Sequence, residues 1–186
     1  MMMTRRDLDI ISFLEDYRIA STTTLKQLFF PSLMTCQARI KKLYDNGNIK
    51  RARMTMNYDY LYYVKKPSKV THDLLVTEFY GKLLNNSEVL QYKIDKELGN
   101  IRPDSIFAYK IKEEVNIGLL EVEISHKGFD YEKYEKFYKS GEYIKWFKVM
   151  PTVYVVCKNA KIPTDTKINF ICIKTDMNDF RLEGLI

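Results

Sequence analysis

The sequence predicts an α+β fold in two parts: three short helices and a two-stranded hairpin over residues 1–66, then a mixed sheet flanked by helices over residues 67–186. Three observations predict it. Up to Asn46 the apolar residues recur at helical spacing, in segments separated by capping residues and a proline. Beyond that point, short β-branched and aromatic runs dominate, interrupted by helical stretches. The formal net charge of +6 also divides the chain: residues 1–66 carry 12 Lys and Arg against 6 Asp and Glu, whereas residues 67–186 carry 18 against 18.

The chain has 186 residues, 46% hydrophobic and 29% charged, enough to build a core and unlike a disordered tail. Cys36, Cys157 and Cys172 are odd in number and far apart, matching neither a zinc spacing nor a disulfide framework. The opening MMMTRRDLDII has no long apolar stretch behind its arginines. A reducing cytoplasm is therefore expected. No apolar run approaches membrane-spanning length, so no membrane partner is expected.

Taken in order, Thr4 is placed to cap a first helix, in which Ile10, Phe13, Leu14 and Tyr17 form one face. Ser21–Thr24 offers the next cap, for a short helix with Leu25, Leu28 and Phe29, which Pro31 stops. Ser32 caps a third helix that ends at Gly47. Unrolled at about 100° per residue, that helix gathers Leu33, Cys36, Ile40, Leu43 and Tyr44 on one side. Met34, Thr35, Ala38, Lys41 and Lys42 gather on the other, with Gln37 and Arg39 at the borders. Ile49–Arg53 and Tyr60–Val64 then alternate as a hairpin, with Lys50, Arg51 and Arg53 on its first strand.

Three helices followed by such a hairpin, with the phrase LYDNGNIKRAR…YLYYV at the junction, resemble the winged helix-turn-helix family over residues 4–66. The resemblance implies a double-stranded DNA partner. The small, cationic outer face of the third helix suits a major groove, which admits one helix. Arg39, Lys41, Lys42, Lys50, Arg51 and Arg53 would meet phosphates, Thr35, Gln37, Ala38 and Arg39 would lie at base edges, and Met34 would share the DNA-binding face. The same lysines also suit a solvated surface beside a protein contact.

After the linker Lys65–Lys69, Thr71 opens a helix to about Leu84. Strands are expected at Val89–Ile94, Ser105–Tyr109 and Ile117–Ser125, an aromatic helix at Asp130–Ser140, and strands at Thr152–Cys157 and Ile168–Ile173. Glu121 and Glu123 stand two residues apart and so share a strand face. Paired carboxylates on a covered strand repel each other, and a metal or a basic partner would relieve them. Facing water would do so equally.

The order α-β-β-β-α-β-β, with Arg102-Pro-Asp104 and Glu121-Val-Glu123, resembles the restriction-endonuclease-like, or PD-(D/E)XK, superfamily. That resemblance implies Asp104, Glu121 and Glu123 as catalytic candidates, with Asp104 and Glu121 as ligands of Mg²⁺ or Mn²⁺. Glu78 on the preceding helix resembles an extra acidic residue of many members. Glu123 stands where the superfamily has lysine, and Lys127 or His126 lies nearby in sequence. Across roughly Arg5 to Cys157 the two parts together are similar to the replication-relaxation family of plasmid, conjugative-element and phage proteins. Three classes follow: a DNA-binding protein of replication or transcription control, a metal-dependent endonuclease or nickase, and a homodimeric module presenting two wings.

Overall fold

The structure, a computed structural model, describes residues 2–54, 59–125, 128–158, 162–163 and 165–183. The hairpin tip at 55–58, and His126 and Lys127, lie outside the described residues. The fold is α+β and has two compact units, Met1–Asn85 and Asn86–Ile186.

The first unit runs α1 (Arg5–Tyr17), β1 (Ala20–Ser21), α2 (Thr22–Phe29), α3 (Leu33–Asp45), β2 (Lys50–Ala52), β3 (Leu61–Tyr63) and α4 (Val70–Asn86). The expected caps set its helices. At α1 the Thr4 hydroxyl accepts from Asp7 N (3.3 Å), and Thr4 N donates to Asp7 Oδ2 (2.7 Å), a reciprocal capping box. Ser21 and Ser32 accept from Thr24 N (3.1 Å) and Thr35 N (3.3 Å). α3 ends where Gly47 takes φ +74°. Gly47 N then bonds Tyr44 O (2.9 Å) and Asn48 N bonds Leu43 O (3.0 Å), satisfying two terminal carbonyls.

The strands form an antiparallel sheet in the order β1-β3-β2. Helix, strand, two helices and a two-stranded hairpin, in that order, make the winged helix-turn-helix arrangement. Its core joins Ile10, Phe13 and Leu14 of α1 to Leu25, Cys36, Ile40, Leu43, Ile49 and Tyr62. β1 was not expected: two residues are too few to show alternation, and Arg18 at φ 72° turns the chain sharply before it. Leu33 was expected inside but is exposed. Helical side chains lean toward the N-terminus, so a first-turn residue projects past the body it would pack on.

α4 packs with this unit, although the expected division at residues 66 and 67 assigned it to the second part. Leu74 joins Ile19, Leu61 and Tyr63 in one buried cluster. Tyr80 stacks on Phe13 and Tyr17, with ring centres 6.1 and 5.6 Å apart. The Arg18 guanidinium donates to the buried Asp73 carboxylate at 3.2 Å.

The second unit holds β4 (Glu88–Ile94), β5 (Ser105–Ile111), β6 (Glu114–Glu123), α5 (Glu132–Lys139), a 3-10 turn (Glu142–Lys145), β7 (Thr152–Cys157) and β8 (Phe170–Lys174). The five strands form one mixed sheet in chain order. β4, β5 and β6 pair antiparallel, whereas β6, β7 and β8 pair parallel. The parallel step from β6 to β7 needs a crossover, which α5 supplies. β4 is an edge strand, and its register shifts between Val89 and Gln91.

Tyr134 and Phe137 of α5 pack on Leu119, Val153, Val155 and Cys157. The aromatic helix therefore packs on the sheet through these two rings. On the other face Phe107 stacks against Tyr92 and Tyr109 and packs at a tilt against Tyr154, with centroids 5.3–5.9 Å apart. Gly118 pairs with Phe107 across the strands, and a Cβ there would clash with the edge of that ring.

Candidate nucleic-acid interface and acidic cluster

α3 separates its two faces cleanly. Cys36, Ile40 and Leu43 are 0% exposed, while Met34 is 78% exposed. Thr35, Gln37, Ala38, Lys41 and Lys42 are exposed with it. The Thr35 hydroxyl takes part in the helix cap, bonding Ser32 O at 3.0 Å. Lys41 pairs with Asp45 one turn on, at 2.5 Å. A surface pair of this kind is weak and easily exchanged for another anion. Lys42 makes no ion pair among the described residues.

Arg39 faces elsewhere. Its Nε donates to Asp7 Oδ1 at 2.7 Å and its NH2 to Asp7 Oδ2, a bidentate clamp on a carboxylate with no exposure. The guanidinium and the Thr4 bonds hold the Asp7 carboxyl well below the usual carboxylate range. Of the predicted phosphate contacts, Arg39 is bound to a buried carboxylate, whereas the Lys41 pair with Asp45 is exposed. The signal was present in the sequence as an Asp at the third position of a capping box, but its partner is 32 residues away.

The hairpin adds three cations. Lys50 is exposed. The Arg51 guanidinium lies between the rings of Tyr44 (4.1 Å) and Tyr60 (4.5 Å), and that of Arg53 lies 3.9 Å from the Tyr60 ring centre. The quadrupole of each ring attracts the cation and holds it at the junction of helix and hairpin. Tyr44 reaches this place from the last turn of α3, and Tyr60 from the residue before β3. Neither was predicted as a site residue, because the clamp exists only once helix and hairpin meet.

The acidic residues lie in the second unit. Asp104, just before β5, accepts from Val122 N at 2.7 Å through Oδ2, and its own N bonds Leu120 O at 2.9 Å. Glu121 and Glu123 pair with Val155 and Cys157 of β7 and share one face, as expected. That face is the one under α5. There the Glu121 Oε1 accepts from Lys133 Nζ (2.7 Å) and from the Tyr134 hydroxyl (2.5 Å). Burial raises the Glu121 carboxyl above its usual range; Lys133 and Tyr134 oppose the rise, and the neighbouring Asp104 charge adds to it. Tyr134 is pushed up by burial and by Glu121. Glu123 instead accepts from Ser125 N at 2.7 Å.

Asp104 and Glu121 thus share an electrostatic neighbourhood, whereas the Glu123 carboxylate is turned to the strand end. Among the described residues no three His, Cys, Asp or Glu side chains are grouped to hold a metal ion. A divalent cation at Glu121 would have to displace an ammonium that already meets its charge. Glu121 thus has the basic partner that a covered carboxylate calls for, in Lys133. Lys133 was not foreseen, since only the α5 crossover brings it over β6. Glu78 lies on α4, where burial raises its carboxyl and Lys82 opposes the rise.

No protein-family model matches the chain, and neither a curated protein nor a solved structure matches it. Among the described residues no helix is long and apolar enough to cross a membrane.

Proposed function

We propose that this chain is a sequence-selective double-stranded DNA-binding protein that acts through α3 and the β2–β3 hairpin. The carrying observation is the outer face of α3: Met34, Thr35, Gln37, Ala38, Lys41 and Lys42 are all exposed above a fully buried apolar face. Lys50, Arg51 and Arg53 extend the positive charge onto the hairpin. Lysines and arginines neutralise phosphates and release counterions, while Thr35, Gln37 and Ala38 lie at base edges. The biological setting is control of replication or transcription in a plasmid or phage, which the replication-relaxation resemblance supports. Two copies bound to a DNA palindrome would place their α3 helices about one helical turn apart.

The test is fluorescence anisotropy with duplexes selected from a random pool, over a salt series. Lys41→Ala/Lys42→Ala should weaken binding to every duplex and make the salt slope shallower by about 1.8. Unchanged affinity for all duplexes would overturn the assignment.

A second reading, a Mg²⁺- or Mn²⁺-dependent endonuclease, is favoured by one observation, the nearness of Asp104 to Glu121 beside Lys133. Supercoiled plasmid incubated with each metal tests it. Nicking that Glu121→Ala abolishes would support it, and an absence of nicking would remove it.

A further inference from the structure

On the α5 side of the five-stranded sheet, the helical cover stops short. α5 packs over Leu119, Val153, Val155 and Cys157. The rows Gln91–Ala108–Ile117 and Lys93–Ile106 continue the same face toward the β4 edge. There Gln91 and Lys93 are exposed, and Ile117 is 40% exposed. This part of the sheet forms the floor of a hollow whose wall is Trp146, itself 45% exposed. A second hollow lies beyond Trp146, bordered by Val115, Tyr143 and Val149.

Four lysines line the two hollows: Lys93 and Lys96 in the first, Lys148 and Lys167 in the second. Among the described residues none of the four makes an ion pair. The Lys96 ammonium stands 5.9 Å from the indole centre. Glu183, which borders the second hollow, is occupied by Thr152 and Asn169. An open apolar floor with one half-exposed flat ring, rimmed by unmatched cations, complements a polyanion that carries planar apolar groups.

We infer that this face binds single-stranded nucleic acid, with one base stacked on Trp146 and the flanking phosphates meeting Lys93, Lys96 and Lys148. A single strand offers both parts at once, since every base has a free π-face and the backbone supplies a charge per nucleotide. A duplex hides its base faces and cannot use the indole. An acidic peptide would satisfy the lysines but give the ring nothing to stack on. In the run Lys145-Trp146-Phe147-Lys148 a lysine stands on either side of the exposed indole, while Phe147 is buried.

The chain has a single tryptophan, so the site carries its own reporter. The full chain is titrated with a thymidine oligonucleotide at low salt, following indole fluorescence, with a duplex of equal length and polyglutamate as comparisons. The oligonucleotide should quench Trp146, and polyglutamate should not. With a labelled oligonucleotide, Trp146→Ala should weaken binding about tenfold. Lys93→Glu/Lys96→Glu, on exposed positions that leave the core intact, should weaken it and flatten the salt slope by at least about 1.4. Lys41→Ala/Lys42→Ala should leave quenching by the oligonucleotide unchanged, which separates this site from α3. No quenching, equal quenching by polyglutamate, or wild-type affinity in the Lys93→Glu/Lys96→Glu variant would overturn the proposal.

Discussion

Arg39 stands on α3, the helix proposed to meet DNA, yet it directs its charge inward to Asp7. That clamp ties the start of α1 to the middle of α3, so the angle at which α3 presents its outer face depends on it. A carboxyl held below its ordinary value of about 3.9 stabilises the fold above that pH, and the gain is lost as pH falls through the depressed value. The melting temperature should therefore drop steeply below about pH 4. Asp7→Asn should be less stable at pH 7 and should show a flatter profile in that acid range, as followed by circular dichroism. Glu121 has the opposite sign. Its carboxyl is raised by burial, so its ionisation opposes folding as pH climbs past the ordinary glutamate value, and Lys133 offsets that penalty. Lys133→Met should cost about 1–3 kcal/mol at pH 7 and less at pH 4, where Glu121 is protonated. The shared face of Glu121 and Glu123 was legible from their spacing. Their separate partners were not, because a strand's period says which side a residue takes and nothing about what a later crossover lays upon it.

Among the elements, those announced by side-chain chemistry were legible at the sequence level. Thr4, Ser21 and Ser32 mark three helix starts and Gly47 one helix end, each through bonds the chain makes with its nearest neighbours. β7 begins and ends as expected, since Thr152–Cys157 is a buried parallel strand with no polar interruption. β6 begins three residues earlier than expected, because its pairing with β5 runs out to a tight turn at Lys112 that apolar content does not report. Gly118 owes its identity to the same ladder. The buried Phe107 ring occupies the space a side chain would need and is itself packed among three tyrosines. Gly118→Ala should therefore destabilise by about 1–3 kcal/mol through overpacking, measured as a loss of urea midpoint at unchanged slope. The Arg51 clamp belongs to this scale too, since it needs the end of α3 and the start of β3 together.

For the molecule as a whole, charge and packing divide the chain at different places. The positive excess ends by residue 66, but the packing unit extends to Asn85, because α4 covers Ile19, Leu61 and Tyr63 of the first unit. Charge is a surface property readable by counting, whereas the reach of a core depends on which helix comes back to cover it. A fragment of residues 1–85 should fold cooperatively and keep the duplex affinity of the full chain. A fragment of residues 1–66 should lack a cooperative melt, because those apolar groups would face water. Thermal melting and anisotropy on the two fragments check this. The register shift in β4 carries a consequence of its own. A kinked margin studded with Glu88 and Lys93 makes a poor template for another chain's backbone, so concentrated samples should resist ribbon-like stacking into fibrils from that side.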